Sequence, residues 1–166
     1  MAIFMKEGKR TEPYKTFRFH VKWAPEPGGK MVVVAGIQKV GAMKRSTEVI
    51  EFRSGGDPVM KNKTPGQTSF EPISLERGLT RDQEFHNWAN AVGNPVTPLP
   101  IQETFLKDIE IELMDEAGVP AVRYKVKDCW VSEYQSLPDL DASANEIAIE
   151  TMTIQHQGWV KELIEV

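Results

Sequence analysis

The stretch "TFLKDIEIELMDEAGVPAVRYKVKDCWV", residues 104–131, decides the fold, because it contains two alternating runs joined by a short turn. In the first run apolar and acidic side chains alternate with a period of two, which is typical of a strand with one buried face. The apolar face carries Phe105, Ile109, Ile111 and Leu113. The opposite face carries Asp108, Glu110 and Glu112. "DEAGVP", residues 115–120, supplies the turn, so the stretch predicts a β-hairpin.

The return strand of this hairpin alternates apolar and basic side chains. Its apolar face carries Val122, Tyr124 and Val126, and its basic face carries Arg123, Lys125 and Lys127. An acidic face beside a basic face favours cross-strand ion pairs that fix the register of the two strands. The same pattern is equally typical of two solvated faces, so both interpretations stay open.

Further strands are predicted on both sides of the hairpin. "KTFRFHVKW" (15–23) and "TEVIEFR" (47–53) alternate, whereas "MVVVAGIQKV" (31–40) is continuous and β-branched, as in a strand covered on both faces. In "TSFEPISLERG" (68–78) Pro72 predicts a bulge or an edge. A last pair of strands surrounds a polar loop near the C-terminus. The pattern predicts a mainly β fold, a β-barrel or two-sheet sandwich of about eight strands with one packed α-helix.

The single predicted helix lies in "TRDQEFHNWANAVG", residues 80–93. Thr80 is placed to cap it and Gln83 to complete a capping box. Phe85 and Trp88 recur at helical spacing, so we expect them to pack the helix against the sheet. Gly93 follows the last apolar residue and marks the end.

A long connection, residues 53–67, separates two of the predicted strands. Most hairpins turn in about two to five residues, and a much longer loop is usually functional or disordered. This connection contains Gly55, Gly56, Pro58, Pro65 and Gly66, which favour turns. It is therefore the first candidate for contact with another molecule.

The sequence contains no pattern typical of catalysis, of a cofactor site or of a metal site. Its three histidines, His20, His86 and His156, lie on separate predicted elements, and Cys129 is the only cysteine. No HExxH, CxxC, GxSxG or GxxxxGK[ST] pattern occurs. A net charge of -4 argues against a dedicated nucleic-acid binder. We expect no enzyme activity, no cofactor and no metal.

Four segments in this order resemble the tail tube proteins of contractile phages and related injection particles. They are "TEVIEFRSGGDP", "KTPGQTSFEPISLERGLTRDQEFHNWANAV", "KDIEIELMDEAGVPAVRYKVKDCWVSEYQS" and "NEIAIETMTIQHQG". The shared features are a Glu-rich strand, a Pro-Gly before a strand that ends in Leu-x-Arg-Gly, a helix with Phe-x-x-Trp, and a hairpin that ends in "CWV". The resemblance runs from Lys15 to Gly158.

The resemblance implies a tail-tube-like barrel that forms hexameric rings, and rings that stack into a hollow tube inside a contractile sheath. It implies partners beyond the chain itself: sheath, baseplate and spike proteins, and a cargo of DNA or protein in the lumen. No catalysis or cofactor comes with the family. We expect synthesis in the cytoplasm, because neither a signal peptide nor a run of about 20 apolar residues occurs. We also expect incorporation into a virion or a phage tail-like particle, with extracellular release of the particle left open.

Within that assembly the long connection becomes a candidate contact with a neighbouring subunit or with the next ring. The candidate interface residues are Arg53, Gly55, Gly56, Asp57, Pro58, Lys61, Lys63, Pro65 and Gly66. The acidic row Asp108, Glu110 and Glu112 is a candidate lumen face, because a negative lining would keep DNA or acidic cargo from adhering. We divide the chain into an N-terminal extension (1–14), a tube β-barrel domain (15–158) and a C-terminal tail (159–166).

Two other functions remain compatible with these patterns. One is the ring-forming, expelled tube and effector-carrier protein of a type VI secretion system, which is similar in fold and also hexameric. The other, from a different class, is a small β-barrel enzyme or ligand-binding module, which predicts a monomer with a concave apolar pocket.

Overall fold

The computed structural model describes residues 13–26, 28–56, 59–93, 96 and 105–164, and the backbone of 5–6 and 9–10. Over these residues it contains twelve strands and one helix. In chain order they are β1 (Met5–Lys6), β2 (Lys9–Arg10), β3 (Phe19–Trp23), β4 (Val32–Val33), β5 (Ile37–Val40), β6 (Arg45–Phe52), β7 (Asn62–Phe70), β8 (Ile73–Gly78), α1 (Glu84–Ala91), β9 (Lys107–Met114), β10 (Pro120–Gln135), β11 (Ile149–Gln155) and β12 (Trp159–Leu163).

The predicted hairpin is present as β9 and β10, and β10 organises the main sheet. Its first half pairs with β9 on one side and with β12 on the other, and its second half pairs with β11. The eight-stranded sheet has the order β4-β3-β9-β10-β11-β8-β5, with β12 beside β10 off this path. β1 with β2 and β6 with β7 form two separate two-stranded sheets. The prediction of a mainly β fold of about eight strands with one helix is confirmed.

β10 can serve both halves of the sheet because it bends at Asp128. This residue has a φ of 51°, in the left-handed region, and the pairing with β9 shifts between Val126 and Cys129. The Asp128 backbone N–H donates a hydrogen bond to Asp108 Oδ1 at 3.0 Å, which holds the bent backbone. A bulge of this kind turns a strand from one sheet direction to another.

The two halves of the sheet enclose one hydrophobic core. Val21, Trp23 and Ile109 come from the first half, and Met152 and Ile154 from the second, and all five are almost fully buried. The alternation predicted from the sequence places Val21, Trp23 and Ile109 on the inner face, whereas Phe17, expected on the same face, is 66% exposed, because it precedes the first paired residue of β3.

Helix α1 closes the core, but it begins later than predicted. The capping box from Thr80 to Gln83 is wrong: Gln83 holds the N-cap position without a side-chain hydrogen bond. Asp82 provides the side-chain cap instead: its Oδ1 accepts a hydrogen bond from the Glu84 backbone N–H at 3.0 Å. Thr80 supports Asp82 by accepting a hydrogen bond from its N–H at 3.2 Å.

Phe85 and Trp88 face the core from α1 and are buried. Both rings pack on Trp23 of β3, with centroid distances of 5.8 Å for Phe85 and 5.0 Å for Trp88. Trp88 Nε1 donates a hydrogen bond to the Phe105 carbonyl at 2.9 Å. The helix is therefore fixed to β3 by aromatic contacts and to the segment before β9 by one side-chain hydrogen bond.

Residues 31–40 form two short strands, so the prediction of one strand covered on both faces is wrong. Gly36 has a φ of 79°, which turns the chain between β4 and β5, and Val32 and Val33 are exposed. Val34 is buried next to this turn, where its N–H donates to the Val21 carbonyl at 2.8 Å.

The division into 1–14, 15–158 and 159–166 stays a prediction. Within the last segment, residues 159–163 form β12, which pairs with the first half of β10. The Ile164 backbone N–H continues this pairing to the Ala121 carbonyl.

Candidate assembly interface

The stretch predicted as a long loop belongs mostly to an extended hairpin, which we call the ribbon (β6, the connection 53–61 and β7). The prediction of a loop over 53–67 is wrong from residue 62 onward, because Lys63, Pro65 and Gly66 lie in β7. Pro65 pairs with Val49 beside a register shift. A two-stranded sheet leaves one edge of each strand without a partner, and such an edge tolerates a proline that has no N–H to donate.

The remaining candidates lie at the turn of the ribbon. Arg53, Gly55, Gly56 and Lys61 are exposed in the connection between the strands. Asp57 and Pro58 lie outside the described residues.

The ribbon is exposed along its length. Every residue of β6 is exposed, including Ile50 and Phe52. Their side chains share one face by the alternation of the strand, while Glu51 on the other face bonds Lys61 Nζ at 3.2 Å and lies opposite Lys63. An isolated two-stranded hairpin is at best marginally stable in water. Exposed apolar side chains grouped in this way are typical of a contact surface.

Gly66 allows the apolar face of the ribbon to form. A Cβ at this position would lie 3.1 Å from Ile50 Cδ1. Such a contact is closer than ordinary packing allows, so a larger residue would displace the Ile50 side chain.

At its root the ribbon is anchored to the barrel by an aromatic cluster. Phe70, the last residue of β7, packs on Trp159 and His156, with ring centroids 5.2 Å and 5.7 Å away. Gly158 allows this approach, because a Cβ there would lie 3.0 Å from Phe70 Cζ. The cluster joins the ribbon to the chain segment between β11 and β12.

Hydrogen bonds at His156 fix the same joint. His156 Nδ1 accepts a hydrogen bond from the Gly158 N–H at 3.1 Å, so Nε2 carries the proton and donates it to the Glu71 carbonyl at 2.9 Å. Side-chain hydrogen bonds join Ser46 to Ser69 (3.2 Å) and Thr47 to Thr68 (3.0 Å) in the first residues of the ribbon. Sequence inspection missed this anchor, because its parts lie far apart along the chain.

The candidate lumen row is not a uniformly solvated stripe. Glu112 is fully buried, between Lys22 Nζ at 2.9 Å and Arg123 Nη2 at 2.8 Å. Burial by itself would raise the pKa of Glu112, but the hydrogen bonds from Lys22 and Arg123 outweigh it and lower that pKa below its usual value. The register places Arg123 opposite Glu112, so the cross-strand ion pair considered from the sequence is present here.

The other two members of the row differ from Glu112. Glu110 is half-buried and lies 3.6 Å from Arg123 Nε. Asp108 is exposed and accepts the hydrogen bond from the Asp128 backbone. The row therefore presents its negative charge to solvent chiefly at Asp108, with Glu110 and Glu112 paired to cations.

Within the described residues, no group of three or more His, Cys, Asp or Glu side chains is placed to hold a metal ion. In the same part of the chain, no helix is long and apolar enough to cross a bilayer.

The barrel with its ribbon and helix α1 is the fold of tube and cap proteins from contractile injection particles. The cryo-EM structure of the anti-feeding prophage cap, the AFP tube terminating cap, contains a chain that is 25% identical, with a TM-score of 0.76 over 99% of this chain and 100% of that chain. A chain of the anti-feeding prophage baseplate is 20% identical, with a TM-score of 0.77 over 94% and 99%. A chain of the PVC sheath-tube complex in the extended state, an extracellular contractile injection system, is 23% identical, with a TM-score of 0.73 over 93% and 94%.

The sequence itself places the chain in a family. Residues 15–160 match the family model of the T4-like virus tail tube protein gp19, and the chain belongs to this family. The resemblance inferred from the sequence is confirmed. None of the curated proteins matches the sequence. The Hcp1 protein from Flavobacterium johnsoniae shares the fold more distantly, at 14% identity and a TM-score of 0.51 over 87% of this chain and 94% of that chain.

Proposed function

We propose that this chain is the inner-tube subunit of a contractile tail or injection system, in which hexameric rings stack into a hollow tube that delivers DNA or protein cargo. The observation that carries the proposal is the family match over residues 15–160. The role is structural, without catalysis or a cofactor. The subunit is made in the cytoplasm and becomes part of a virion or a phage tail-like particle.

The ribbon is the proposed contact with a neighbouring subunit or the next ring. Its exposed side chains include Ile50 and Phe52 beside the cations Arg53, Lys61 and Lys63. Covering this apolar surface would contribute about 25 cal/mol per Å² buried, which offsets the conformational entropy of ordering the turn. Gly55, Gly56, Pro65 and Gly66 have no charged side chain. Their proposed role is therefore to set the backbone shape of the ribbon.

The sheath, the baseplate and the spike are the proposed protein partners. The relatives support this, since they come from a sheath-tube complex and a baseplate. For the lumen we propose the face of β9 that carries Asp108, Glu110 and Glu112. A neutral or positive electrostatic potential along the bore of the assembled tube would contradict a negative lining.

The type VI secretion tube is the second candidate, because Hcp1 shares the fold. The neighbouring genes distinguish the two functions. Sheath, baseplate and spike genes in phage-like order support an injection particle, whereas genes for a membrane complex support a secretion system.

The first experiment is negative-stain electron microscopy of the purified chain at low and high concentration, together with its mass in solution. We expect rings about six subunits around, or hollow tubes built from them. A uniform monomer at every concentration that binds a small ligand or turns over a substrate would contradict the proposal and favour the small-barrel alternative.

A further inference from the structure

His156 lies where the ribbon joins the barrel, in the turn between β11 and β12. Its Nδ1 accepts a hydrogen bond from the Gly158 N–H at 3.1 Å, and its Nε2 donates a hydrogen bond to the Glu71 carbonyl at 2.9 Å. The first bond closes the turn, and the second reaches the residue that directly follows β7. One imidazole ring therefore ties the barrel to the root of the ribbon.

The two hydrogen bonds require different roles of the two ring nitrogens. A neutral imidazole has one donor nitrogen and one acceptor nitrogen, whereas both nitrogens are donors in the protonated ring. Protonation of His156 at Nδ1 would therefore place an N–H against the Gly158 N–H. Gly158 is buried, so its N–H would lose its acceptor at a site that water does not readily reach.

The packing of the ring links this change to the ribbon. The centre of the imidazole lies 5.7 Å from that of the Phe70 ring and 5.9 Å from that of the Trp159 ring. A rotation of the imidazole that moves Nδ1 away from Gly158 also moves Nε2 away from the Glu71 carbonyl and changes the contact with Phe70. Phe70 is the last residue of β7, so the rotation loosens the ribbon where it is anchored.

The charged side chains near this joint do not offer a partner to a protonated ring. The segments around His156 carry Lys44, Arg45, Glu71, Lys127 and Asp128. Glu71 pairs with Lys44 at 3.4 Å, and Asp128 lines a cavity with Asp108. Among the described residues, no ion pair joins His156 to a carboxylate. The aromatic rings of the joint attract a cation, but they do not replace the acceptor that the Gly158 N–H loses.

We propose that His156 is a pH-sensitive latch at the root of the ribbon. The neutral ring holds the turn and the ribbon together, and the protonated ring releases both hydrogen bonds. The ribbon should therefore become more mobile as the pH falls from 8 to 5, the range in which histidine side chains commonly change charge. The latch is a property of the free subunit, so its test is independent of tube formation. Weaker stacking in acid would be its consequence under the proposed function.

Amide hydrogen exchange of the full-length, unassembled subunit at pH 8 and at pH 5 tests the latch. The rates are divided by the intrinsic exchange rates at each pH, which gives protection factors. We expect the protection of β6 and β7 to fall about tenfold from pH 8 to pH 5, the effect of about one lost hydrogen bond on a local opening. The protection of β9, on the other side of the barrel core, should stay constant.

His156→Asn separates the charge of the ring from its hydrogen bond. An asparagine can accept the N–H of the residue two positions later through its side-chain oxygen, as in an Asx turn, but it does not titrate. The protection of β6 and β7 in this variant should therefore be the same at pH 8 and at pH 5. His20→Asn, at an exposed position on β3, is the control and should keep the tenfold fall.

Equal protection of the ribbon at pH 8 and pH 5 in the wild-type chain would overturn the latch. A tenfold fall that persists in His156→Asn would also overturn it, because the titrating group would then be another one. If His156→Asn does not fold, nuclear magnetic resonance of the wild-type subunit gives the same decision. The Gly158 amide shift should follow the titration of the His156 ring, and a Gly158 shift that stays constant through that titration would overturn the proposal.

Discussion

At the residue scale, the buried charged side chains of this subunit form ion pairs and hydrogen bonds with one another or with neighbouring polar groups. Arg77 is fully buried and bonds Glu150 through Nε at 2.5 Å, and Glu150 also accepts a hydrogen bond from the Tyr134 hydroxyl at 2.8 Å. The Arg77 guanidinium lies 4.2 Å from the centre of the Phe85 ring. An unpaired buried charge is costly. Removing either Arg77 or Glu150 should therefore destabilise the subunit more than removing one member of an exposed ion pair of the ribbon.

Trp88 provides the first prediction at this scale. Trp88→Ala should lower the free energy of unfolding of the subunit by about 3 to 5 kcal/mol, because it empties a buried aromatic site and removes the bond to Phe105. Urea unfolding of the unassembled subunit measures it. Asn87→Ala, at an exposed position of the same helix, is the control. A change near zero for Trp88→Ala would contradict the anchoring role.

Glu112 provides a pH prediction. Because its pKa is lowered in the folded state, its ion pairs stabilise the subunit above the usual carboxyl value of 4.5, and this stabilisation is lost as the pH falls through the lowered folded pKa. Glu112→Gln should reduce stability at neutral pH and flatten the loss in acid. Thermal unfolding between neutral and acid pH measures both. Glu133→Gln, at an exposed position, is the control and should keep the wild-type dependence of stability on pH. If Glu112→Gln also keeps it, the ion pairs of Glu112 do not contribute to the acid sensitivity of the subunit.

At the element scale, the ribbon is held by its root and exposed over the rest of its length. Its root is fixed by Phe70 against His156 and Trp159, and by Gly158 beneath the Phe70 ring. In contrast, every residue of β6 is exposed. A two-stranded hairpin is marginally stable by itself, so we expect the ribbon to depend on its root in the free subunit and to gain stability if it is covered.

Gly158 tests the root. Its φ of 124° and the 3.0 Å approach to Phe70 leave no room for a side chain. Gly158→Ala should therefore weaken the anchor at a cost of about 1 to 3 kcal/mol. Amide hydrogen exchange should become faster in β6 and β7 and stay unchanged in β9. Gly118→Ala, at a positive φ in the β9–β10 turn with open space around it, is the control for backbone strain alone. Equal protection of the ribbon in both variants would show that the Phe70 contact is dispensable.

Charge reversal at Lys61 and Lys63 tests the ribbon as a stacking element. The variant Lys61→Glu with Lys63→Glu should fold normally, because both side chains are exposed, but it should stack poorly. Circular dichroism checks the fold, and electron microscopy measures the number and length of tubes. Tubes of wild-type number and length from this variant would contradict a stacking role for these lysines.

At the scale of the whole molecule, the exposed apolar side chains of the ribbon are separate from the buried core. The barrel contains one hydrophobic core, and the buried Trp88 of α1 packs against Trp23 in it. The subunit should therefore be folded before it assembles, and the tube should stabilise it further by mass action.

This gives a prediction on the intact assembly. The thermal midpoint of the wild-type chain should rise with protein concentration through the range in which tubes form, because assembly binds the folded state. Differential scanning calorimetry at low and high concentration measures the shift. The Lys61→Glu, Lys63→Glu variant should show a smaller shift, and a midpoint independent of concentration in the wild type would contradict stabilisation by assembly.

The sequence by itself determined the β9–β10 hairpin, the helix face and the family. Residues 108–113 and 122–126 each alternate, so the strand period assigns their side chains to a face, and Phe85 and Trp88 are about one helical turn apart. These are local patterns, and local patterns can be read along the chain. The prediction of the helix cap is wrong, because Thr80 and Asp82 are both suitable capping residues and lie only two positions apart. The sequence does not show which of the two accepts the hydrogen bond from the first turn, and the structure assigns it to Asp82.

Only the tertiary structure shows that the ribbon is a hairpin, how its root packs on the barrel, and which carboxylates of the acidic row are paired. Pro65 and Gly66 predict a turn in isolation, but pairing with β6 places them in a strand whose outer edge needs no donor. Glu112 reads as a solvated carboxylate until β3 and β10 bring Lys22 and Arg123 to it from both sides. The physical reason is the same in each case: the partner that sets the energy of the residue comes from a distant part of the chain.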